Sequence, residues 1–353
     1  MSGRRLRVVQ WATGNIGAHA LREVMRHPAL ELAGVLVYDP AKNGVDAGVL
    51  CGEEPVGVVA TDDRAAIRGL DADCILYMPR VFDLDDVVAL LASGKNVVTT
   101  RGELSGAGHQ LGAEARARVL DACDRGNSSI YATGSSPGFI SETLPFALLS
   151  LQRNVESIEI DEFADMSRRD SPHMLFEQMG FGKPLDSYNP ARAAYLVGEF
   201  SPSLSLLADA AGRPVEEWAG TGEVAAARRT TAVVAGEIAA GTVAAQRTSV
   251  VGRSNGLDVV RFTANWYCTT ELEPAWDLRP TGWRVRVRGD ASIDVDLTFP
   301  VPLEDLGSFT PALTAHRPVN AIPYVCAAPS GILSTADLPP IVPSGPATGG
   351  APR

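Results

Sequence analysis

The order of apolar runs and helical periods in this chain of 353 residues predicts an α/β fold: a doubly wound, mostly parallel sheet, followed by a second α+β domain containing a large, mainly antiparallel sheet. Three observations carry that reading. An apolar run, residues 6–10, breaks into a glycine turn and then a helical period. Apolar runs and helical periods go on alternating to about residue 138, as successive strand–helix units do. Beyond that point longer runs alternate every second residue, the pattern of half-buried antiparallel strands.

The first unit reads in order as strand, turn, helix, strand, acid. After Gln10 come Trp11-Ala12-Thr13-Gly14-Asn15-Ile16-Gly17. Gly14 stands where a backbone passes close to a pyrophosphate, and Gly17 where the new helix packs on the strand, while the helix start offers unpaired N–H groups to phosphate. Ala12 replaces the first glycine of G-x-G-x-x-G, so the match is partial; a plain βαβ unit, with glycines serving only the turn, is the alternative. Ile16, Ala20, Leu21, Val24 and Met25 recur at helical spacing until His27-Pro28, and the next run, 30–38, ends in Asp39. This is the offset of roughly 20 residues at which a carboxylate accepts hydrogen bonds from a ribose 2′-OH. Asp39 argues for NAD, because it repels a 2′-phosphate; Lys42 could partner that phosphate if Asp39 turns away, which keeps NADP open.

Further strands are expected near 56–60 and at 74–78, 96–100 and 129–133, with helices at 83–93 and 111–125, closed by Gly94 and Gly126. In the second domain strands are expected at 155–165, 228–234, 241–251, 257–269, 283–288 and 292–299, with Asn255-Gly256 and Gly289-Asp290 as hairpin turns. A loop, 167–189, and a helical stretch, 190–212, separate the first of these from the rest. A helix at 312–327 is expected to return to the first domain, ahead of a Pro/Gly-rich tail too poor in apolar residues to pack. The expected division is 1–140 for the dinucleotide domain, 141–310 for a substrate and dimerisation domain, 311–335 for the returning helix and 336–353 for a disordered tail.

Composition removes several function classes. The net charge is −11, without a dense Lys/Arg cluster, which argues against a nucleic-acid partner. No apolar stretch approaches the ~18 residues of a membrane helix. Met1-Ser2-Gly3-Arg4-Arg5 runs straight into the first strand without a signal peptide, so a soluble cytoplasmic protein is expected. Five dispersed cysteines form no disulfide framework, and five histidines show no metal-ligand spacing, so no metal is expected.

Four motifs carry a resemblance. They are Gln10 through Gly17, Thr133-Gly134-Ser135-Ser136-Pro137-Gly138-Phe139, Asp165-Met166-Ser167 with Met179-Gly180-Phe181-Gly182, and Val319-Asn320-Ala321-Ile322-Pro323. Together they resemble dihydrodipicolinate reductase-like proteins of actinobacteria, a group similar to 2,4-diaminopentanoate dehydrogenase and to native amine dehydrogenases. The resemblance covers nearly the whole chain except the tail. It implies a Rossmann-type first domain, a second domain used for dimerisation and substrate, and an NAD(P)-dependent activity. Ser136 replaces the family's usual Asn, and the His-His and Lys-x-Asp-Ala-Pro-Ser-Gly-Thr signature of true dihydrodipicolinate reductases is absent.

In the resembling amine dehydrogenases a glutamate just after the fourth strand faces the reacting carbon, and Glu103 matches that position. A carboxylate there stabilises a cationic iminium and takes a proton from an incoming ammonium. The alternative is a loop salt bridge with Arg101. Thr100 ends the same strand. Ser135 and Ser136 follow the last parallel strand ahead of a helical stretch, 139–151, where small residues admit a flat nicotinamide and a helix start favours a carboxamide. Met78, in Met78-Pro79-Arg80, ends another strand at that sheet edge.

The expectation is therefore an NAD(P)-dependent oxidoreductase acting on C=N or C–NH2 bonds of a small amine or carbonyl, as a homodimer that covers the free face of its second sheet. Two alternatives stay open. One is an alcohol or keto-acid dehydrogenase, with Tyr131, Tyr188 or His173 relaying the proton; the other is a non-catalytic dinucleotide sensor.

Overall fold

Residues 4–343 are described by the computed structural model. By its internal contacts the chain forms two units, one of Met1–Gly138 with Thr310–Arg353 and one of Phe139–Phe309.

In the first unit the short apolar runs become β1 (Leu6–Trp11), β2 (Leu30–Leu36), β3 (Cys74–Tyr77), β4 (Asn96–Thr99) and β5 (Ser129–Ala132). A short strand, Gly331–Leu333, joins the edge beside β5, and the order is Gly331–Leu333, β5, β4, β3, β1, β2, all parallel. Strands covered on both faces are apolar at successive positions, and Val8 and Val9 are both fully buried. Val9, Ile75, Val97 and Ile130 pack with Val87, Leu90 and Leu91 of the helix Leu84–Ala92 and with Val119 and Ala122 of the helix Gly112–Gly126. Val8, Leu76, Val98 and Tyr131 pack with Ala20 and Val24 of the helix Asn15–Arg26 and with Val319, Ile322 and Val325 of Leu306–Ala327.

Two expectations fail here. Residues 56–60 make one isolated bridge, Val59 with Asp46, and Val56 and Val59 stay exposed. The helix expected at 139–151 forms over residues 139–149, wound as a π-helix to Thr143 and continuing as Leu144–Leu149. Ahead of it the backbone is non-helical at Ser136, Pro137 and Gly138, the last with φ of 124°, so the helix begins after Gly138 as expected. The disordered tail is also overdrawn: Leu338 and Ile341 pack on the core, and the Tyr324 hydroxyl donates to Val342 O. Residues 344–353 of that tail lie outside the described residues.

The second unit is built on a seven-stranded sheet in the order Leu272–Glu273, Glu217–Ala227, Val243–Ser254, Leu257–Tyr267, Val155–Asp165, Gly282–Gly289, Ile293–Thr298. All neighbours are antiparallel except Leu257–Tyr267 with Val155–Asp165. The strand Glu217–Ala227 went unread, since its Gly and Ala content carries little strand preference; ten paired positions along Val243–Ser254 hold it in place. The strand expected at 228–234 is instead half of a small hairpin, Thr231–Val233 with Gly236–Ile238. Helix Ala191–Ala210 covers one face of the sheet, where Phe200 stacks on Phe262 with ring centroids 3.7 Å apart. Among the described residues, no helix is long and apolar enough to cross a membrane.

Candidate dinucleotide site

The site grows from the end of β1. Ala12 has φ of 78°, the left-handed region that the usual first glycine supplies, so alanine accepts here a strain of about 1 kcal/mol. Its neighbours fix it: Ala12 N donates to Leu36 O at 2.9 Å, and buried Gln10 donates from Nε2 to Ala12 O at 2.8 Å. A Cβ on Gly17 would stand 2.2 Å from that same Ala12 oxygen, so only glycine lets the helix approach. Gly14 differs. A Cβ there would meet nothing within 4 Å, and as N-cap of Asn15–Arg26 it contributes no side-chain hydrogen bond. The first-turn N–H groups of Asn15, Ile16 and Gly17 thus have no side-chain cap, the condition for receiving an anion.

Tyr38 and Asp39 follow β2. The Trp11 indole donates to the Tyr38 hydroxyl at 2.9 Å, and the Arg64 guanidinium lies 5.4 Å from the centre of the Tyr38 ring. Burial raises the Tyr38 pKa. Asp39 accepts from Ala41 N at 3.0 Å through Oδ1, capping the turn Pro40–Lys42. Lys42 reaches back over the glycine turn and donates from Nζ to Thr13 O at 2.8 Å. Met78 N, past β3, donates to Trp11 O at 3.0 Å.

Ala12, Thr13, Gly14, Tyr38, Asp39, Lys42, Met78, Pro79, Arg80 and Val81 together line a cleft of about 360 Å³. It lies beyond the C-terminal ends of β1, β2 and β3, where the chain switches from one side of β1 to the other, the position at which open α/β sheets bind ligands. Of the residues singled out in the sequence, Ala12, Thr13, Gly14, Asp39, Lys42 and Met78 line this cleft. Asn15, Ile16 and Gly17 form the helix start behind it. Thr100, Glu103, Ser135 and Ser136 do not line it. Tyr38 and Val81 were missed; Tyr38 was legible only as the end of an apolar run.

Glu103 sits in a short 3-10 turn, Gly102–Leu104, just past β4. Arg101 grips both its carboxylate oxygens, with Nε donating to Oε2 at 3.1 Å and Nη2 to Oε1. Arg101 Nη1 also donates to Arg80 O at 2.9 Å, so a single guanidinium ties the glutamate to the wall of the cleft. Ser135 shares a 2.7 Å hydrogen bond with Thr314, and Thr133 Oγ1 accepts from Arg317 Nε at 2.8 Å. Ser136 Oγ is buried and makes no hydrogen bond.

A parallel sheet with a glycine turn at its switch point and a second, mixed-sheet unit define the class of Rossmann-type dehydrogenases. The chain belongs within it to the 2,4-diaminopentanoate dehydrogenase family, whose C-terminal domain matches residues 139–345. It is 30% identical over 345 residues to an amine dehydrogenase from Streptomyces virginiae, covering 94% of this chain and 95% of that protein. The structure of an amine dehydrogenase from Mycobacterium smegmatis superposes with a TM-score of 0.76 at 17% identity, over 96% of this chain and 97% of the other. A scyllo-inositol dehydrogenase from Lactobacillus casei, solved with NAD(H) and scyllo-inositol, gives 0.55 at 11% identity over 90% and 89%. At those identities the two structures speak for the shared fold.

Proposed function

We propose that this oxidoreductase uses a nicotinamide dinucleotide to act on the carbon–nitrogen bond of a small amine, or in reverse on a carbonyl and ammonium. Membership of the family and the amine dehydrogenase relative support the class of reaction. The observation that carries the reading is the Arg101 bracket, which ties the glutamate after β4 to the Arg80 loop of the cleft.

The residues present fit the cofactor. The uncapped helix start and the open space before Gly14 suit a pyrophosphate, and Asp39 keeps one carboxylate oxygen for ribose hydroxyls. Lys42 is engaged on Thr13, at the turn, rather than awaiting a 2′-phosphate, and NAD is the cofactor we assign. The bound nicotinamide supplies the two-electron acceptor or donor. Glu103 is assigned to the substrate nitrogen: its carboxylate stabilises the positive charge of the oxidised C–N centre and takes up an ammonium proton, while Arg101 holds its orientation. Thr100, Ser135 and Ser136 are assigned to the nicotinamide end.

The free face of the second sheet interleaves Arg284 and Arg286 with Glu159, Asp161 and Asp296, a surface able to complement its own copy, and we assign homodimer packing to it.

Oxidation of NADH with short aldehydes and ketones, with and without ammonium, tests the reading. Ammonium-dependent turnover is expected. Ammonium-independent turnover would refute the C–N assignment in favour of an alcohol or keto-acid dehydrogenase, and tight cofactor binding without any turnover would favour a sensor.

A further inference from the structure

Tyr38 is an aromatic ring left in the open. It is 47% exposed on the wall of the cleft, whereas Trp11, which holds its hydroxyl, and Tyr77, which packs on Trp11, are fully buried. A side chain so exposed ordinarily moves among rotamers on a fast timescale. This one is fixed. The Trp11 indole donates to its hydroxyl at 2.9 Å, and the Arg64 guanidinium lies over its ring, 5.4 Å from the centre.

Arg64 is itself tied down. It meets Asp86 at 2.8 Å and Asp83 at 3.2 Å; Asp83 caps the helix Leu84–Ala92, and Asp86, in the first turn of that helix, is buried. The ring is thereby braced against an element of the core. Tyr38 lines the cleft and Arg64 does not, so the guanidinium stands behind the ring and leaves its other face to the open space. Pro79 and Val81, past β3, add apolar surface to the same cleft, and Val81 is 74% exposed. Rigid, exposed apolar surface inside a cleft is what a flat organic ring needs from its site.

Position in the sheet says which ring. The strand order β5, β4, β3, β1, β2 puts Tyr38 and Asp39, past β2, at one end of the row, while the residues assigned to the nicotinamide follow β4 and β5 at the other. The glycine turn after β1 lies between. A dinucleotide with its pyrophosphate at that turn and a ribose on Asp39 carries its adenine on that same ribose, so the base falls at the Tyr38 end of the cleft.

We propose that Tyr38 is the stacking platform for the adenine ring of the cofactor, and that Arg64 is a positioning residue which acts through it. The proposal rests on the dinucleotide reading above and adds the recognition of the base, which is tested by binding alone. A ring already fixed gives up little rotamer freedom when the base arrives. The guanidinium behind it draws π density away from the cleft face, which suits an electron-rich purine stacked there.

The test is calorimetric titration of the purified protein with NAD, with adenosine 5′-monophosphate and with nicotinamide mononucleotide. Tyr38→Leu is expected to weaken NAD and the adenosine monophosphate at least about fivefold, the lower end of what a stacked base loses with its aromatic partner, and to leave the nicotinamide mononucleotide unchanged. Tyr38→Phe, which loses the Trp11 bond and keeps the ring, should stay within about threefold of the wild type. Arg64→Met should weaken the adenosine monophosphate by less than Tyr38→Leu does, and the double variant should bind no more weakly than Tyr38→Leu alone, because Arg64 acts only through the ring. Wild-type affinity for the adenosine monophosphate in Tyr38→Leu would overturn the platform, as would an equal loss of both mononucleotides; additive losses in the double variant would overturn the role of Arg64. A wild type that binds neither NAD nor NADH refutes the dinucleotide reading itself, whereas NAD binding that Tyr38→Leu does not alter rejects the platform alone.

Discussion

Gly17→Ala and Gly14→Ala, two substitutions of identical chemistry three residues apart, are expected to do opposite things. At position 17 the new methyl would begin 2.2 Å from Ala12 O and must retreat by about 0.8 Å to reach the 3.0 Å below which real Cβ atoms are not found. Neither side can give cheaply. Ala12 is held by hydrogen bonds on its N and O, and Val24, about two turns along the helix, is fully buried against the sheet. Overpacking of this kind costs about 1–3 kcal/mol, which lowers Tm by about 2–4 °C for each kcal/mol in a unit of this size. The same shift moves the helix start off its phosphate-facing position, so cofactor affinity falls too.

At position 14 the methyl meets nothing within 4 Å, and φ of −69° is ordinary for alanine. Folding stability should be unchanged or up by about 0.4–1 kcal/mol, because the unfolded chain loses freedom. The methyl instead occupies the space that a pyrophosphate needs, and NAD affinity should drop by roughly 1–3 kcal/mol, or about 5- to 150-fold. Thermal melts and cofactor titration by quenching of intrinsic fluorescence check both variants. If Gly14→Ala binds NAD as the wild type does, the turn is not the pyrophosphate site; if Gly17→Ala melts and binds as the wild type does, the steric argument is wrong.

Glu103→Gln should cut turnover by roughly 10²- to 10⁴-fold with cofactor affinity little changed, and turnover at the wild-type rate would remove Glu103 from the chemistry. Asp39→Asn replaces a charged acceptor by a neutral one and should weaken NAD by about 1.5–3 kcal/mol while NADP loses less; an unchanged NAD-to-NADP ratio in kcat/KM would refute the ribose assignment. Burial lowers the pKa of His27 below its ordinary 6.5, its Nδ1 accepts from Ala29 N at 3.2 Å, and its Nε2 is buried without a partner. The unfolded chain therefore takes up this proton first, so stability falls as pH drops through 6.5 towards the folded-state value, by at most about 1.4 kcal/mol per pH unit. His19, lowered by burial and by Arg22 and His316, acts in the same direction. His27→Asn should flatten the fall in Tm between pH 7 and 5.5, and an unaltered pH dependence would show that the ring is not responsible. Light scattering should give twice 37.2 kDa, whereas a monomer mass would reject the dimer.

Local patterns were legible wherever a residue's environment is set by its near neighbours. Val155–Asp165 alternates and is a strand over those residues, and the runs around β1 to β5 lie within two residues of the observed strands. The reading failed where pairing across the sheet decides. Glu217–Ala227 has the composition of a flexible loop and is a strand because Val243–Ser254 lies beside it. Gly331–Leu333 is three residues long, too short to show a period, and owes its place to β5. Residues 135–138, by contrast, read as the turn before a helix because Pro and Gly suit helix ends, and the chain turns helical directly after Gly138.

The site divides along the same line. Side chains aimed from the ends of β1, β2 and β3 were found from spacing, since the strand fixes where its next few residues go. The Arg101 bracket joins Glu103 to Arg80, which lies 21 residues before Arg101, and no spacing rule reports such a contact. The missing glycine at position 12 sharpens the point. The turn needs a left-handed residue there, and what the motif encodes as glycine is a backbone requirement that Ala12 meets under constraint from Gln10 and Leu36. Gln10 follows from this as the residue to watch in any variant of the turn. Its amide is the brace that holds Ala12 O where Gly17 must pass, so Gln10 and Gly17 act on one atom, and substitutions at the two positions should not add.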